Sequence, residues 1–265
     1  MSTRHASFHP LSPYAAFARR AVVGLFRQPS SVVPTIVFPL MFLAMSSAAL
    51  ESSTRLPGFP PVESFLQFLI STTVVQGALF GSIQAGSGMA IDIEGGFFER
   101  MVATPVPRSS VLVGRVGGAA VIGFIQAWLY LGIALAFGTT IHGGLFTIAA
   151  ISIVAMTLSA GIGAVAVAFA LRTGSSEAVQ GAFPMLFATL FLSSAFFPRN
   201  LMEGWFRSAA SLNPLSHMIE GLRAQVIAGP DLSAYLTALG VAAGVFVFGL
   251  SLSSLALRGR LKRSA

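Results

Sequence analysis

Apolar residues run along this chain in long blocks, each closed by a short polar or Pro- and Gly-rich break, and blocks of this length predict helices rather than strands. Six blocks stand out: Val32 to Leu50, Phe65 to Ile91, Ser109 to Phe137, Leu145 to Leu171, Ala178 to Phe197 and Tyr235 to Leu257. At 1.5 Å of rise per residue, a run of about 19 residues crosses a hydrocarbon core of ~30 Å, so each reads as a membrane span. The third runs to about 44 Å as a helix, so its first turns, with Arg115, should project into the cytosol. The fifth carries Pro184. The first ends in MSSAALES, like a signal-peptidase site, but its apolar run is too long and starts too late for a signal peptide, so no cleavage is expected.

Two stretches have the helical spacing without the hydrophobicity of a span. Tyr14, Phe17, Ala18, Ala21, Val22 and Leu25 share one face, Arg19, Arg20 and Arg27 lie on the other side, and Pro29 stops the run. That pattern predicts a helix lying in the membrane interface. In residues 198–233, Asn213 can cap a helix with Pro214 at its first position. Leu215, Met218, Ile219, Leu222 and Val226 then share a face, with Glu220 and Arg223 expected elsewhere on the surface. This segment either rests on the outer face of the membrane or re-enters it.

Between the second and third blocks lies a charged island, Asp92 to Arg115, reading DIEGGFFERMVATPVPRSSVLVGR. Gly95 and Gly96 loosen the backbone, FFERMVA can form a short helix, Pro105 biases Thr104 away from helical geometry, and Ser109 or Ser110 can cap the next helix. A helix, a stiff turn and a second helix make a lever between two spans.

This island resembles the cytosolic loop of ABC-2 type membrane permeases. The pattern is carried by Glu94, Gly95 and Gly96, Phe97 and Phe98, Glu99 and Arg100, Met101 and Val102, Thr104 and Pro105, Arg108, and Gly114 with Arg115. A later stretch resembles the family's segment before its last span, with Phe196-Phe197-Pro198, Asn213-Pro214-Leu215 and Leu222-Arg223. It departs at Glu203 and Gly204, where many relatives have a Pro shortly before the Trp. The resemblance implies a permease subunit whose Gly95–Pro105 helix docks in a cleft of a separate ABC ATPase. Phe97, Phe98 and Met101 would supply apolar contact there, and Glu99, Arg100 and Arg108 would set orientation. It implies two ATPase copies and a second permease subunit, a homodimer or a pairing with a similar chain, in a drug-resistance type of exporter.

The expected fold is an all-α integral membrane protein. Residues 1–31 form a cytosolic segment with the interfacial helix, 32–257 a six-span transmembrane domain with its coupling helix and outer segment, and 258–265 a basic cytosolic tail. Composition agrees: 54% of the 265 residues are hydrophobic and 9% charged, too few charges for a soluble surface. The net charge of +7 comes from basic residues flanking apolar runs, which suits membrane lipid and not nucleic acid. Lys and Arg number twelve in the segments on one side of a six-span layout and four on the other, placing both termini and the charged island in the cytosol of a bacterial cell membrane.

Chemistry narrows the function further. The single lysine is Lys262, so no Walker A loop is present and ATP hydrolysis must come from another chain. There is no cysteine, and the four histidines are too scattered for a metal site, so no cofactor or metal is expected. The blocks hold no acidic or basic residue near mid-span, against ion-coupled transport. They carry amides: Gln76 and Gln84 share a face with Thr73, and Gln126 lies in the third block. These four either line a substrate path or hydrogen-bond neighbouring helices. The expected function is export of an amphipathic or lipophilic molecule, a drug, antibiotic or lipid; the alternative is an ATP-independent facilitator or a small intramembrane enzyme.

Overall fold

The computed structural model describes residues 29–102 and 107–263; the interfacial helix expected before Pro29 lies outside them. Among these residues every regular element is helical: α1 (Pro29–Leu50), α2 (Phe65–Glu94), α3 (Phe97–Val102), α4 (Arg108–Ala136), α5 (Gly144–Thr173), α6 (Ser176–Gly181), α7 (Phe183–Phe191), α8 (Gly204–Leu212), α9 (Pro214–Ala228) and α10 (Leu232–Arg263). Five of them, α1, α2, α4, α5 and α10, are long and apolar enough to cross a membrane. The chain is a multi-pass membrane protein.

Helix α2 is the axis. Ser64 caps it by accepting from the Gln67 N–H at 3.2 Å, Glu51 accepts from the Phe65 N–H at 3.0 Å, and nearly all of its thirty residues are buried. Burial on all sides needs small residues, because helices without a water-driven force between them associate by close packing. Gly77 and Gly81 admit Tyr130 and Gln126 of α4, and Gly86 rests against the Ala166 backbone of α5. On the far side of α5, Gly161 meets the backbone of α10, where a Cβ would lie 2.7 Å from the Phe246 nitrogen. The core divides into two apolar clusters, one around Phe65, Phe68, Tyr130 and Met218, the other around Met89, Phe98, Leu171 and Leu257.

Helix α1 holds Pro34 and Pro39 in its interior. A proline has no N–H, so Pro39 leaves the Thr35 carbonyl without its helical donor. The Tyr130 hydroxyl donates to that carbonyl at 3.1 Å, which ties α1 to α4.

The expected span 178–197 is not one helix. Pro184 lacks the N–H that would reach back to Gln180 and would clash with that carbonyl, so the chain ends α6 at Gly181 and restarts as α7. After Phe191 it turns rather than continuing. The pair is anchored at both ends against α2. The Ser176 N–H donates to Glu94 at 2.6 Å, and the Ala195 carbonyl accepts from Thr72 Oγ1 at 2.7 Å. Glu94 and Thr72 are about 33 Å apart along one straight helix.

The outer segment forms α8 and α9. Asn213 caps α9 by accepting from the Leu215 N–H at 2.9 Å, with Pro214 in the first turn. Leu215, Met218, Ile219, Leu222 and Val226 all face the core. Arg223 corrects the surface position expected of it: its side chain is buried with them, 4% exposed. Helix α4 also starts earlier than expected, at Arg108. Ser110 does not cap it but donates to the Pro107 carbonyl, its N–H at 2.9 Å and its hydroxyl as well.

Candidate functional site

The lever forms where α2 ends. Gly96 takes φ +66°, a left-handed turn that costs a side-chain-bearing residue energy, and this reverses the chain into α3. On this single-turn helix, positions three apart share a face, so Phe98 and Met101 point the same way. Both are buried within the chain, among Ile93, Val111, Leu171, Val179 and Leu257. Burying a Phe this way contributes about 1.5–3 kcal/mol. These two side chains therefore hold α3 onto the bundle, where the sequence expectation gave them apolar contact with a partner. What α3 presents outward is Glu99 and Arg100, with Phe97 half-buried beside them.

The charged groups divide in the same manner. Asp92 pairs with Arg115, whose guanidinium also donates to the Gly88 carbonyl at 2.9 Å, joining α2 to α4. Glu94 is spent on Ser176, accepting from its N–H at 2.6 Å and its hydroxyl at 3.0 Å. Glu99 stands 3.5 Å from Arg260 of α10, whose guanidinium also donates to the Leu171 carbonyl at 3.2 Å and lies 5.6 Å from the Phe98 ring centre. Arg100 donates to its own loop, to Gly96 at 3.2 Å and Gly95 at 3.3 Å, and is exposed. Gly95 itself is exposed, while Thr104 and Pro105 lie outside the described residues and Arg108 is described only as the first residue of α4.

The four expected path residues fall in two places. Thr73, Gln76 and Gln84 lie along one stripe of α2 with Phe80 between the amides. The Thr73 hydroxyl is used within its own helix, on the Leu69 carbonyl at 3.2 Å, and the Gln76 Nε2 has no acceptor among the described residues. Gln126 sits on the neighbouring side of α2, against Gly81, with its Nε2 3.4 Å from the Thr35 hydroxyl and its Oε1 without a donor among the described residues.

Phe80 anchors an arrangement that no local pattern announces. Six phenylalanine rings close a circuit: Phe38 to Phe80 at 5.5 Å, Phe80 to Phe187 at 5.5 Å and Phe187 to Phe191 at 4.8 Å. Phe191 to Phe196 and Phe196 to Phe42 follow at 5.0 Å each, and Phe42 returns to Phe38 at 6.5 Å. They come from α1, α2, α7 and the turn beyond it. Phe38 and Phe191 keep about two-fifths of their surface exposed, so the circuit reaches the face of the bundle.

Arg223 is the other group missed from sequence. Its Nε donates to the Phe68 carbonyl at 3.1 Å, its Nη2 donates to those of Ser194 and Ala195 at 3.1 Å each, and its guanidinium stacks 3.6 Å over the Phe68 ring. Burial lowers its pKa, and nearby Glu220, which pairs with Arg199, works in the opposite direction. Its function here is to supply donors to carbonyls that the break after α7 leaves without helical partners. Asn213 does the same for Thr189 and Leu192, at 2.6 and 3.0 Å. A signal for Arg223 was present in the spacing, since it falls four residues after Ile219 and three before Val226, inside the apolar stripe.

Comparison with known proteins agrees with this architecture. Residues 14–227 match the ABC-2 type transporter family. Among similar proteins, the ycf38 transport-permease sequence of Porphyra purpurea is 26% identical over 82% of this chain and 75% of its own length. The daunorubicin resistance ABC transporter permease protein DrrB1 of Streptomyces coeruleorubidus is 24% identical, over 75% of this chain and 69% of its own. The inner membrane transport permease YadH of Escherichia coli K12 is 24% identical over 88% of this chain and 89% of its own. The family match covers most of the sequence, including the lever, the central helix and the buried face of α9, and the chain belongs to the ABC-2 type transporter family.

Proposed function

We propose that this chain is the membrane-spanning subunit of an ATP-driven exporter, moving an amphipathic or lipophilic molecule out of a bacterial cytoplasm with energy from a separate ABC ATPase. The observation that carries this reading is the divided surface of α3: Phe98 and Met101 bury it in the bundle while Glu99 and Arg100 lie exposed on its outer side. A partner gripping that side moves a helix already keyed into the core. We read α6 and α7 as the sixth crossing, made in two pieces, which returns both termini to the cytosolic side. Two ATPases and a second permease copy complete the assembly. The test is a pull-down in mild detergent with identification of the bound chains. Glu99→Ala with Arg100→Ala is expected to leave membrane insertion intact and to reduce the recovered ATPase. Undiminished recovery would remove α3 as the docking element.

The aromatic circuit supports this substrate class. Rings 4.8–6.5 Å apart, with Gln76 one helical turn from Phe80 on α2, offer an apolar surface with a polar group on the same stripe, a combination suited to a flat, lipophilic molecule carrying a polar substituent. Phe80→Ala with Phe187→Ala should abolish the stimulation of ATP hydrolysis by lipophilic aromatic amines, daunorubicin among them, and leave the basal rate unchanged. A wild-type complex indifferent to every such amine would exclude this substrate class.

A further inference from the structure

Helix α2 is packed on every side, whereas α7 is largely exposed: Met185 retains 75% of its surface. Elements with few buried contacts are the ones that move at low cost. A displacement of α3 can therefore be expressed in α6–α7 more readily than in α2. The route is visible in the hydrogen bonds.

Both carboxylates next to the turn at Gly96 lead to one corner, Leu171 to Ser176, which joins α5 to α6. Glu94 reaches it directly, accepting from both the N–H and the hydroxyl of Ser176. Glu99 reaches it through Arg260, which donates to the Leu171 carbonyl. Gly174 adopts φ +67°, Ser175 accepts from the Ala178 N–H at 3.2 Å, and Val179 is the one side chain of α6 that is buried. Bonds from a carboxylate to a backbone N–H and a hydroxyl are charge-assisted, stronger than neutral ones and directional. They link the charged loop directly to the broken pair.

We propose that the Leu171–Ser176 corner receives the motion of α3, through Glu94 directly and through Glu99 by way of Arg260, and passes it to α6–α7 and so to Phe187 and Phe191 on the aromatic circuit. Glu94 and Arg260 are then positioning residues. This rests on the coupling role proposed above for α3, and it assigns Glu94 to a joint inside the chain instead of a contact with the ATPase.

The sequence permits a clean test. The chain has no cysteine, so Met185→Cys places a single thiol on α7. Its reaction rate with a maleimide is measured in the complex co-purified with its ATPase, with and without a non-hydrolysable ATP analogue. Three variants are added to that reporter. Glu94→Ala removes the acceptor, and Glu94→Gln keeps an oxygen that accepts from Ser176. Ser176→Pro deletes both donors at a first-turn position that tolerates proline, after a Ser175 whose φ −124° and ψ 127° suit a pre-proline residue. The expected result is a nucleotide-dependent rate whose response falls several-fold in Glu94→Ala and Ser176→Pro, where only the route through Arg260 remains, persists in Glu94→Gln, and does so with the ATPase still bound. A merely structural cap would lower the melting temperature and leave the nucleotide response in place, which overturns the proposal. So does a reporter that never responds to nucleotide. If Ser176→Pro misfolds, Glu94→Ala against Glu94→Gln still decides. A wild-type chain that recovers no ATPase refutes the exporter reading itself.

Discussion

Arg223→Leu is expected to lower the melting temperature by several degrees, a loss of about 2–4 kcal/mol, and to speed hydrogen exchange across Leu192–Phe197. Replacing a buried charge by a hydrophobe is often neutral, because the desolvation penalty disappears with the charge. Here the partners cannot be removed along with it. They are backbone carbonyls of a break in the chain, and the Ser194 carbonyl would be left with no donor among the described residues, while Ala195 would keep only Thr72. Stacking on Phe68 is lost as well, worth up to about 2 kcal/mol where the cation is desolvated. Arg223→Lys should fall between, since an ammonium keeps the charge but not the fork that serves three carbonyls at once. Thermal unfolding in detergent, followed by size-exclusion fluorescence, measures the order. A Leu variant melting at or above wild type would show that the broken segment does not depend on this side chain.

Gly161→Ala should destabilise the chain by about 1–3 kcal/mol, although alanine is the better helix former. The added methyl would stand 2.7 Å from the Phe246 nitrogen and 2.8 Å from its Cα, both backbone atoms that no rotamer change can withdraw. Helices α5 and α10 would have to separate. Gly249 approaches Gly161 from the other side of the same contact, so neither helix has slack. Gly117→Ala is the control, because nothing lies within 4 Å of its Cβ position in α4. It should be neutral or stabilising by up to about 1 kcal/mol. Equal melting temperatures for the two variants would mean that α5 and α10 are not held at this distance.

Much of this architecture could be read from the chain before any coordinates. Runs such as Phe65–Ile91 and Ser109–Phe137 are too long and too apolar for anything but helices in lipid, and Asn213-Pro214 is a local signal for a helix start that needs no tertiary help. The charged island was visible as a shape because Gly95, Gly96 and Pro107 act on their own backbones. Where expectation and structure part, the cause is a partner distant in sequence. Pro184 was seen, but the second break after Phe191 was not, because whether a helix stops there depends on what satisfies the freed carbonyls, and those donors sit on Thr72, Asn213 and Arg223. Phe98 and Met101 look like contact residues on a short amphipathic helix until Leu171 and Leu257 occupy the space beneath them.

Sequence alone determined that this is a helical membrane protein of the ABC-2 permease kind, with one charged loop between two long apolar helices. Those conclusions rest on length, hydropathy and short-range motifs, properties each segment carries by itself. The tertiary structure alone decided which face of the lever is exposed, that Glu94 closes a joint with Ser176, that six phenylalanines from four parts of the chain meet in a circuit, and that Arg223 is buried. Each of these depends on two segments meeting side by side. A residue's own neighbours in the chain set its backbone, but which hydrogen bonds and apolar contacts it makes is settled by what packs against it from elsewhere.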